Sequence, residues 1–311
     1  MPKSGFLVIN KPVGERSTRC VEVVRRKLGR KAKVGHGGTL DSTASGVLVL
    51  LTGAATRLSN VVMGFPKCYA ATLQLGSETD TDDASGNVIR EAEWSHLSVS
   101  DIDDAMAEFS GWRLQTPPNV SAVHVNGQRA HELSRSGQEV KIAPKPVYFE
   151  KVLRTTDISS DGKLSFEIYC QKGTYVRSFG RDLARVLGTA GHVCRLERKF
   201  AGPFNLDNAV DFSEIETMTA DGIYARLLEL SVISDVLPMY AGDEKTEKKL
   251  ALGQNVPMEL LSVRSRGKTE NYFGEDVLLA AGNYFSVCSF ATEDGRVMLH
   301  PSVNLYLGGE L

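Results

Sequence analysis

Cysteine is scarce in this chain. Only five occur in 311 residues. Cys20, Cys68, Cys170, Cys194 and Cys288 form no CxxC and no zinc spacing, which argues against a disulfide framework or a structural metal and for small, reduced core residues. Long apolar runs are missing too. The longest, Gly46 to Ala55 (GVLVLLTGAA), is about half of what a bilayer crossing needs. The start, MPKSGFLVINKP, has four apolar residues before Lys11-Pro12, too few for a signal peptide, so a cytoplasmic protein is expected. A surplus of positive charge is absent: 36 Lys and Arg against 38 Asp and Glu leave a net −2. The chain as a whole is therefore not a globally basic nucleic-acid binder. Low-complexity composition is absent as well. With 42% hydrophobic and 24% charged residues, the chain has the make-up of a globular protein, and its length suits about two domains.

The charge that is there is unevenly placed. Arg16 to His36 holds eight basic residues against Glu22, and Gln171 to Phe200 seven against Asp182 and Glu197. Glu78 to Glu108 reverses this, with ten acids against Arg90. Two basic segments around an acidic one suit a polyanion-binding face on a neutral protein, and equally a set of solvated helix faces.

Periodicity gives a coarse map. Gly5 to Ile9 reads as a strand. Ser17 or Thr18 caps a helix with Val21, Val24 and Leu28 on one stripe, stopped by Gly29. Tyr69 to Leu75 alternates as a half-buried strand, as do Leu164 to Cys170. Ser100 with Asp103 resembles a capping box for a helix carrying Ile102, Met106 and Phe109 and ending at Gly111. Phe179, Leu183 and Leu187 recur at helical spacing before Gly188. Gly282-Asn283 separates two apolar runs as a hairpin turn. Strands and helices mix without a βαβ rhythm, so the expected fold is α+β with a mixed, largely antiparallel sheet. The texture changes near Pro238. The expected division is residues 1–238 and a small β-rich domain, 239–311.

The densest chemical signal is Gly35-His36-Gly37-Gly38-Thr39-Leu40-Asp41-Ser42-Thr43-Ala44-Ser45-Gly46-Val47-Leu48. Three glycines in four residues force an unusual backbone path. Asp41 then stands among small neutral residues with no acid beside it. No Gly-Lys-Ser/Thr follows, and Leu40 occupies the place of the third glycine of GxGxxG, so the segment is no phosphate loop. His36 and Asp41 lack a third ligand nearby in sequence, so no metal site is expected. On its own, Asp41 reads equally as a turn or cap residue.

The chain resembles the bacterial tRNA pseudouridine-55 synthases, the TruB family, in six ordered blocks over the first 235 or so residues. Lys11-Pro12-x-Gly14 with Ser17-Thr18 is similar to the first. Gly35-His36-x-Gly38-Thr39-Leu40-Asp41-x-x-Ala44-x-Gly46-Val47-Leu48 is similar to the catalytic motif. Lys67-x-Tyr69 with Leu75-Gly76 and Thr79-Asp80-Thr81-x-Asp83 resembles the third. Pro117-Pro118, Ser121-Ala122-Val123 and Val125-Asn126-Gly127 with Arg129-Ala130 resemble the fourth. Lys172 to Ser178 with Arg181-Asp182-Leu183 resembles the late active-site block, and Leu196 with Gly202-Pro203-Phe204 follows. Four positions depart from the family pattern: Gly37, Ser42, Val120 and His124 stand where threonine, proline, tyrosine and lysine are usual. Arg16 also interrupts the spacing of the first block.

The resemblance implies a reaction and roles. A T-loop uridine of tRNA would be flipped out and isomerised to pseudouridine. No electrons or groups are gained, so no cofactor is needed. Asp41 would be the catalytic carboxylate, Arg177 its partner, Tyr69 the stacking aromatic, and Leu196 part of the pocket wall. An aromatic face suits a flipped base, a guanidinium keeps a carboxylate ionised and oriented, and a lone carboxylate serves as nucleophile or base at the sugar. His36, Lys11, Lys172 and Arg129 would touch RNA, and about 115–146 would be an RNA-gripping insertion in which Arg129, Arg135, Lys141 and Lys145 meet phosphates. Residues after 239 look similar to a PUA-type RNA-binding domain. The expected partner is the tRNA T-arm, with neither membrane nor protein partner and a monomeric enzyme. The rival readings are a non-catalytic tRNA-binding or tRNA-folding protein on the same scaffold, and a small-molecule nucleotide enzyme at Gly35 to Gly38.

Overall fold

A computed structural model describes residues 3–120, 124–125, 128–129, 142–267 and 275–308; for 124–125 and 128–129 only the backbone is described. Two compact units emerge. The first comprises Met1–Asp41, Gly46–Phe65 and Phe200–Leu311, and the second Ser42–Ser45 and Pro66–Lys199. The expected boundary at 238/239 falls inside the first unit.

In the first unit the strand Gly5–Lys11 is central. It pairs antiparallel with Ser45–Thr52 and parallel with Val210–Asp211. Val34–His36 adds antiparallel along the other edge of Ser45–Thr52, opposite Leu50 to Thr52. One face of this sheet, Leu7, Ile9, Leu48 and Leu50, packs on Cys20, Val21, Val23 and Val24 of the helix Ser17–Leu28 and on Phe212 and Ile215. Val21 and Val24 belong to the apolar stripe read from the sequence, whose third member, Leu28, is partly buried against the same core; Cys20 and Val23 join them. The opposite face, Phe6, Val8, Val47 and Val49, shares a second core with Leu278, Phe285, Val287 and Leu305. These four belong to the β-rich end, six strands in the order 256–257, 296–306, 284–293, 277–281, 239–241, 262–265. Gly282 turns the hairpin between Val277–Ala281 and Tyr284–Glu293 at φ +51°, as the Gly-Asn pair predicts. The β-rich end thus has a small core of its own around Leu250, Leu279, Cys288 and Leu299, and a second one in common with the N-terminal strands.

The second unit has a sheet in the order 191–201, 67–75, 163–170, 145–154, 111–115, antiparallel where its register is resolved. Leu73, Leu164, Phe166 and Ile168 are buried on one face. The helices Val99–Glu108 and Val176–Val186 bring Phe109 and Phe179 into an aromatic cluster with Phe149 and Phe166, ring centroids 4.9–6.2 Å apart. Gly180 permits the close approach: a Cβ there would meet Val193 at 2.8 Å and Leu73 at 3.0 Å. The capping box lies two residues earlier than the sequence suggested. Ser98 accepts from the Asp101 amide, and Asp101 accepts from the Ser98 amide. Ser98 and Ser100 each precede an aspartate by three, so spacing alone cannot choose between them. Among the described residues no helix is long and apolar enough to cross a membrane.

Gly37 illustrates how tightly the glycine segment is held. Its amide donates to Val49 O at 2.8 Å, and a Cβ on it would lie 2.3 Å from Val62 Cγ1. We expect Gly37→Ala to cost about 1–3 kcal/mol in denaturant unfolding, and Val62→Ala in the same chain to recover part of it by making room. Equal stability of Gly37→Ala and wild type, or losses that simply add, would refute this packing account.

Candidate active site

The loop carrying Asp41 is fixed from the helix Ser17–Leu28. The Ser17 hydroxyl, itself buried, donates to Leu40 O at 2.8 Å and accepts from Leu40 N at 2.9 Å. Leu40 is buried, so the next residue, Asp41, leaves the core and is exposed. Gly38, at φ +117°, makes the turn before it, a conformation L side chains resist.

Lys11 is the first correction. It was expected to touch RNA, but it is fully buried. Its Nζ donates to Pro12 O and Glu15 O, both at 2.9 Å. It therefore ties down the 12–15 turn from inside. His36 is half-buried, and its Nδ1 accepts from the Gly38 amide at 3.3 Å. A neutral ring so bonded carries its proton on Nε2. His36 lines a groove of about 440 Å³ with Thr18, Glu22, Arg25 and Met63.

In the second unit the structure brings together Arg177, Asp83, Thr43 and Leu196, which line one recess. Arg177 is 4% exposed. It donates to Thr81 O at 2.9 Å and Val120 O at 3.1 Å, and Asp83 Oδ2 stands 3.8 Å from its Nη1. Asp83 accepts from the Thr81 hydroxyl at 2.7 Å, the Ser85 hydroxyl at 2.6 Å and the Ser85 amide at 3.0 Å. Burial acts to raise its pKa, but the bonds from Ser85 and Thr81, with Arg177 beside it, outweigh burial and hold it below the usual carboxylate range. Thr43, two residues past Asp41 in the chain, donates to Asp83 Oδ2 at 3.2 Å. The Thr43 hydroxyl thus reaches the carboxylate that stands beside Arg177.

Arg177 heads a row. Arg181 pairs with Asp82 and Asp182, both at 2.8 Å, and Arg185 pairs with Glu78. Arginines at i, i+4 and i+8 on one helix meet three acids of the 78–83 stretch. These three basic residues are therefore neutralised within the protein. Of the polyanion face expected from the 171–200 charge run, their share is withdrawn.

Tyr69 is 9% exposed and sits opposite Ile168 in the sheet. Leu196 is 8% exposed. Lys172 is exposed, in the turn before the helix Val176–Val186. The backbone of Arg129 pairs with His124; its side chain lies outside the described residues, as do Arg135 and Lys141. Lys145 is exposed. Sequence reading assigned no role to Asp83 or Arg181. The signal was available in the run of acids and the helical spacing of the three arginines.

In the first unit Asp41 is an exposed carboxylate on a pinned loop. In the second unit Arg177 is a buried guanidinium held by the ionised Asp83, with Leu196 in the same recess. Residues 25–176 match the family described as TruB family pseudouridylate synthase (N terminal domain). The tRNA pseudouridine synthase B of Paracoccus denitrificans is 36% identical over 99% of this chain and 94% of its own. That of Ruegeria pomeroyi is 42% identical over 69% of this chain and 70% of its own. Among solved structures, a Cbf5-Nop10-Gar1 complex chain superposes with TM-score 0.72 at 18% identity, covering 98% of this chain and 86% of that one, a likeness of fold.

Proposed function

Because the chain belongs to the TruB family of pseudouridylate synthases, we propose that it isomerises a uridine of the tRNA T-loop to pseudouridine with Asp41 as the catalytic carboxylate. The observation that carries this is the pinning of the Asp41 loop by Ser17, with Thr43 of the same segment bound to Asp83. Asp41 acts at the sugar as nucleophile or base. Arg177 is the basic residue that acts with it. Tyr69 stacks on the flipped uracil and Leu196 walls the pocket. His36, Lys172 and Arg129 contact the RNA. Residues 239–311 form an RNA-binding module, and the enzyme acts as a cytoplasmic monomer on the T-arm.

Incubating an unmodified tRNA transcript and mapping pseudouridine by carbodiimide primer extension tests this. One stop at the T-loop uridine is expected. No stop, together with tight and salt-dependent tRNA binding, would favour the non-catalytic tRNA-binding reading.

Asp83 gives a further prediction. Asp83→Asn removes the charge that orients Arg177 while leaving tRNA affinity within about twofold, and it slows single turnover about 10- to 100-fold. Equal rates would contradict its role. Its ionised form contributes stability fully above the unfolded value, about 3.9, and that contribution is lost as pH falls through its lower folded value. Asp83 therefore causes no change of rate between about pH 5 and 8.

A further inference from the structure

The basic run of the second unit is neutralised in part by internal acids, as the pairs made by Arg181 and Arg185 show. The run in the first unit is not. Arg25, Arg26, Lys27, Arg30, Lys31 and Lys33 place six cations in nine residues with no acid between them. Arg25 donates to Val34 O at 2.8 Å. Among the described residues no acidic side chain pairs with the other five, whereas Arg19 of the same helix meets both Glu15 and Glu216. All five are exposed except the half-buried Lys27. Arg26 and Lys27 have a structural reason to be basic: they lie in the last turn of the helix Ser17–Leu28, where cations favour the helix dipole. Arg30, Lys31 and Lys33 lie beyond Gly29, which ends that helix at φ +103°, and this reason does not reach them. Like charges so close repel one another, and a polyanion relieves the repulsion.

The frame that carries these cations is braced at both ends. The helix Ser17–Leu28 leads away from the Asp41 loop, and the strand Val34–His36 leads back towards it. Ser17 and Leu40 join them at one end, and Arg25 and Val34 O near the other. Cys20, Val21 and Val24 fix the helix to the core between, and the groove lined by Thr18, Glu22 and Arg25 runs along it. The helix has 12 residues, hence eleven steps of about 1.5 Å. The turn that holds Arg30, Lys31 and Lys33 therefore begins ~16 Å from the end that holds the Asp41 loop, where RNA beyond the flipped nucleotide must lie. No aromatic residue occurs from Arg25 to Val34, so the cluster offers charge but no stacking surface for unpaired bases. It suits paired RNA, whose bases are turned inward and whose phosphates line the outside. We propose that Arg30, Lys31 and Lys33, with Arg26 and Lys27, grip the phosphates of the stem that carries the target loop, at a fixed distance from Asp41. This role rests on the pseudouridine-synthase reading above.

The test compares wild type with the triple variant Arg30→Ala, Lys31→Ala, Lys33→Ala. Binding of an unmodified tRNA transcript is titrated over a range of salt concentrations, and single turnover is followed at saturating enzyme. Loss of three phosphate contacts is expected to weaken binding about 10- to 100-fold and to flatten the slope of log affinity against log salt by about 2 to 3. The saturated rate is expected to fall less than about threefold, because the Asp41 loop is held at the other end of the helix. The three side chains are exposed, so thermal unfolding should match wild type. A second titration locates the contact, using a T-arm hairpin and the same hairpin with uncharged methylphosphonate linkages in its stem. The triple variant is expected to bind the charged hairpin more weakly than wild type does, and the two proteins to bind the uncharged-stem hairpin alike. Unchanged affinity and slope on tRNA would overturn the proposal, as would an equal loss on both hairpins. Absence of any pseudouridine from wild type would instead overturn the reading of the function, whatever the salt slope.

Discussion

Asp41→Asn abolishes pseudouridine formation and leaves folding and tRNA binding close to wild type. The amide is nearly isosteric, so Leu40 keeps its two bonds to Ser17 and the loop keeps its path. Asp41 is exposed, so the substitution opens no cavity and buries no new polar group. The amide, however, can neither attack C1′ nor take a proton from the sugar. We expect a loss beyond about 10⁴-fold, more than 5 kcal/mol of the barrier, in single-turnover assays with enzyme in excess. Thermal unfolding and tRNA titration control for structure. Activity comparable to wild type would remove Asp41 from the mechanism.

The second large effect is at Arg177. Arg177→Ala strips Asp83, Thr81 O and Val120 O of their shared donor, and Asp41 of the partner proposed for it. We expect the rate to fall about 10³-fold, ~4 kcal/mol. Part of the loss would reflect the buried carboxylate left without its cation, so Arg177→Lys is the sharper variant. It retains the charge but cannot serve three acceptors from a planar fork. It should fold as wild type and be about 10- to 100-fold slow in kcat, with tRNA affinity unchanged. A rate for Arg177→Ala within about threefold of wild type, roughly 0.65 kcal/mol, would refute the partnership.

Much of the fold could be read from local pattern. The helix Ser17–Leu28, the strand Lys67–Leu75 and the hairpin at Gly282 follow from spacing and turn chemistry. Local pattern also singled out the Asp41 segment, because three glycines and a lone carboxylate are conspicuous without any context. The failures share one cause. Whether a charged side chain is solvated or buried depends on partners distant in the chain. Arg181 and Asp82 are ninety-nine residues apart, so the basic run did not reveal that three of its arginines belong to an internal ion network. Lys11 looked like an RNA contact because nothing in Lys-Pro reveals that its amine turns inward to two backbone carbonyls. The core common to Phe6 and Phe285 was hidden for the same reason: period-2 patterns state which face is apolar but not what covers it.

The central claim is that this chain moves the uracil ring from N1 to C5 using Asp41. Pseudouridine formation must expel the hydrogen on C5. Release of tritium from an unmodified tRNA transcript labelled at uracil C5 therefore tests the claim most directly, for wild type and Asp41→Asn side by side. The account predicts release of about one tritium per tRNA by wild type and none by Asp41→Asn. Release by both would contradict the role of Asp41, and release by neither, with salt-dependent tRNA binding intact, would contradict catalysis altogether.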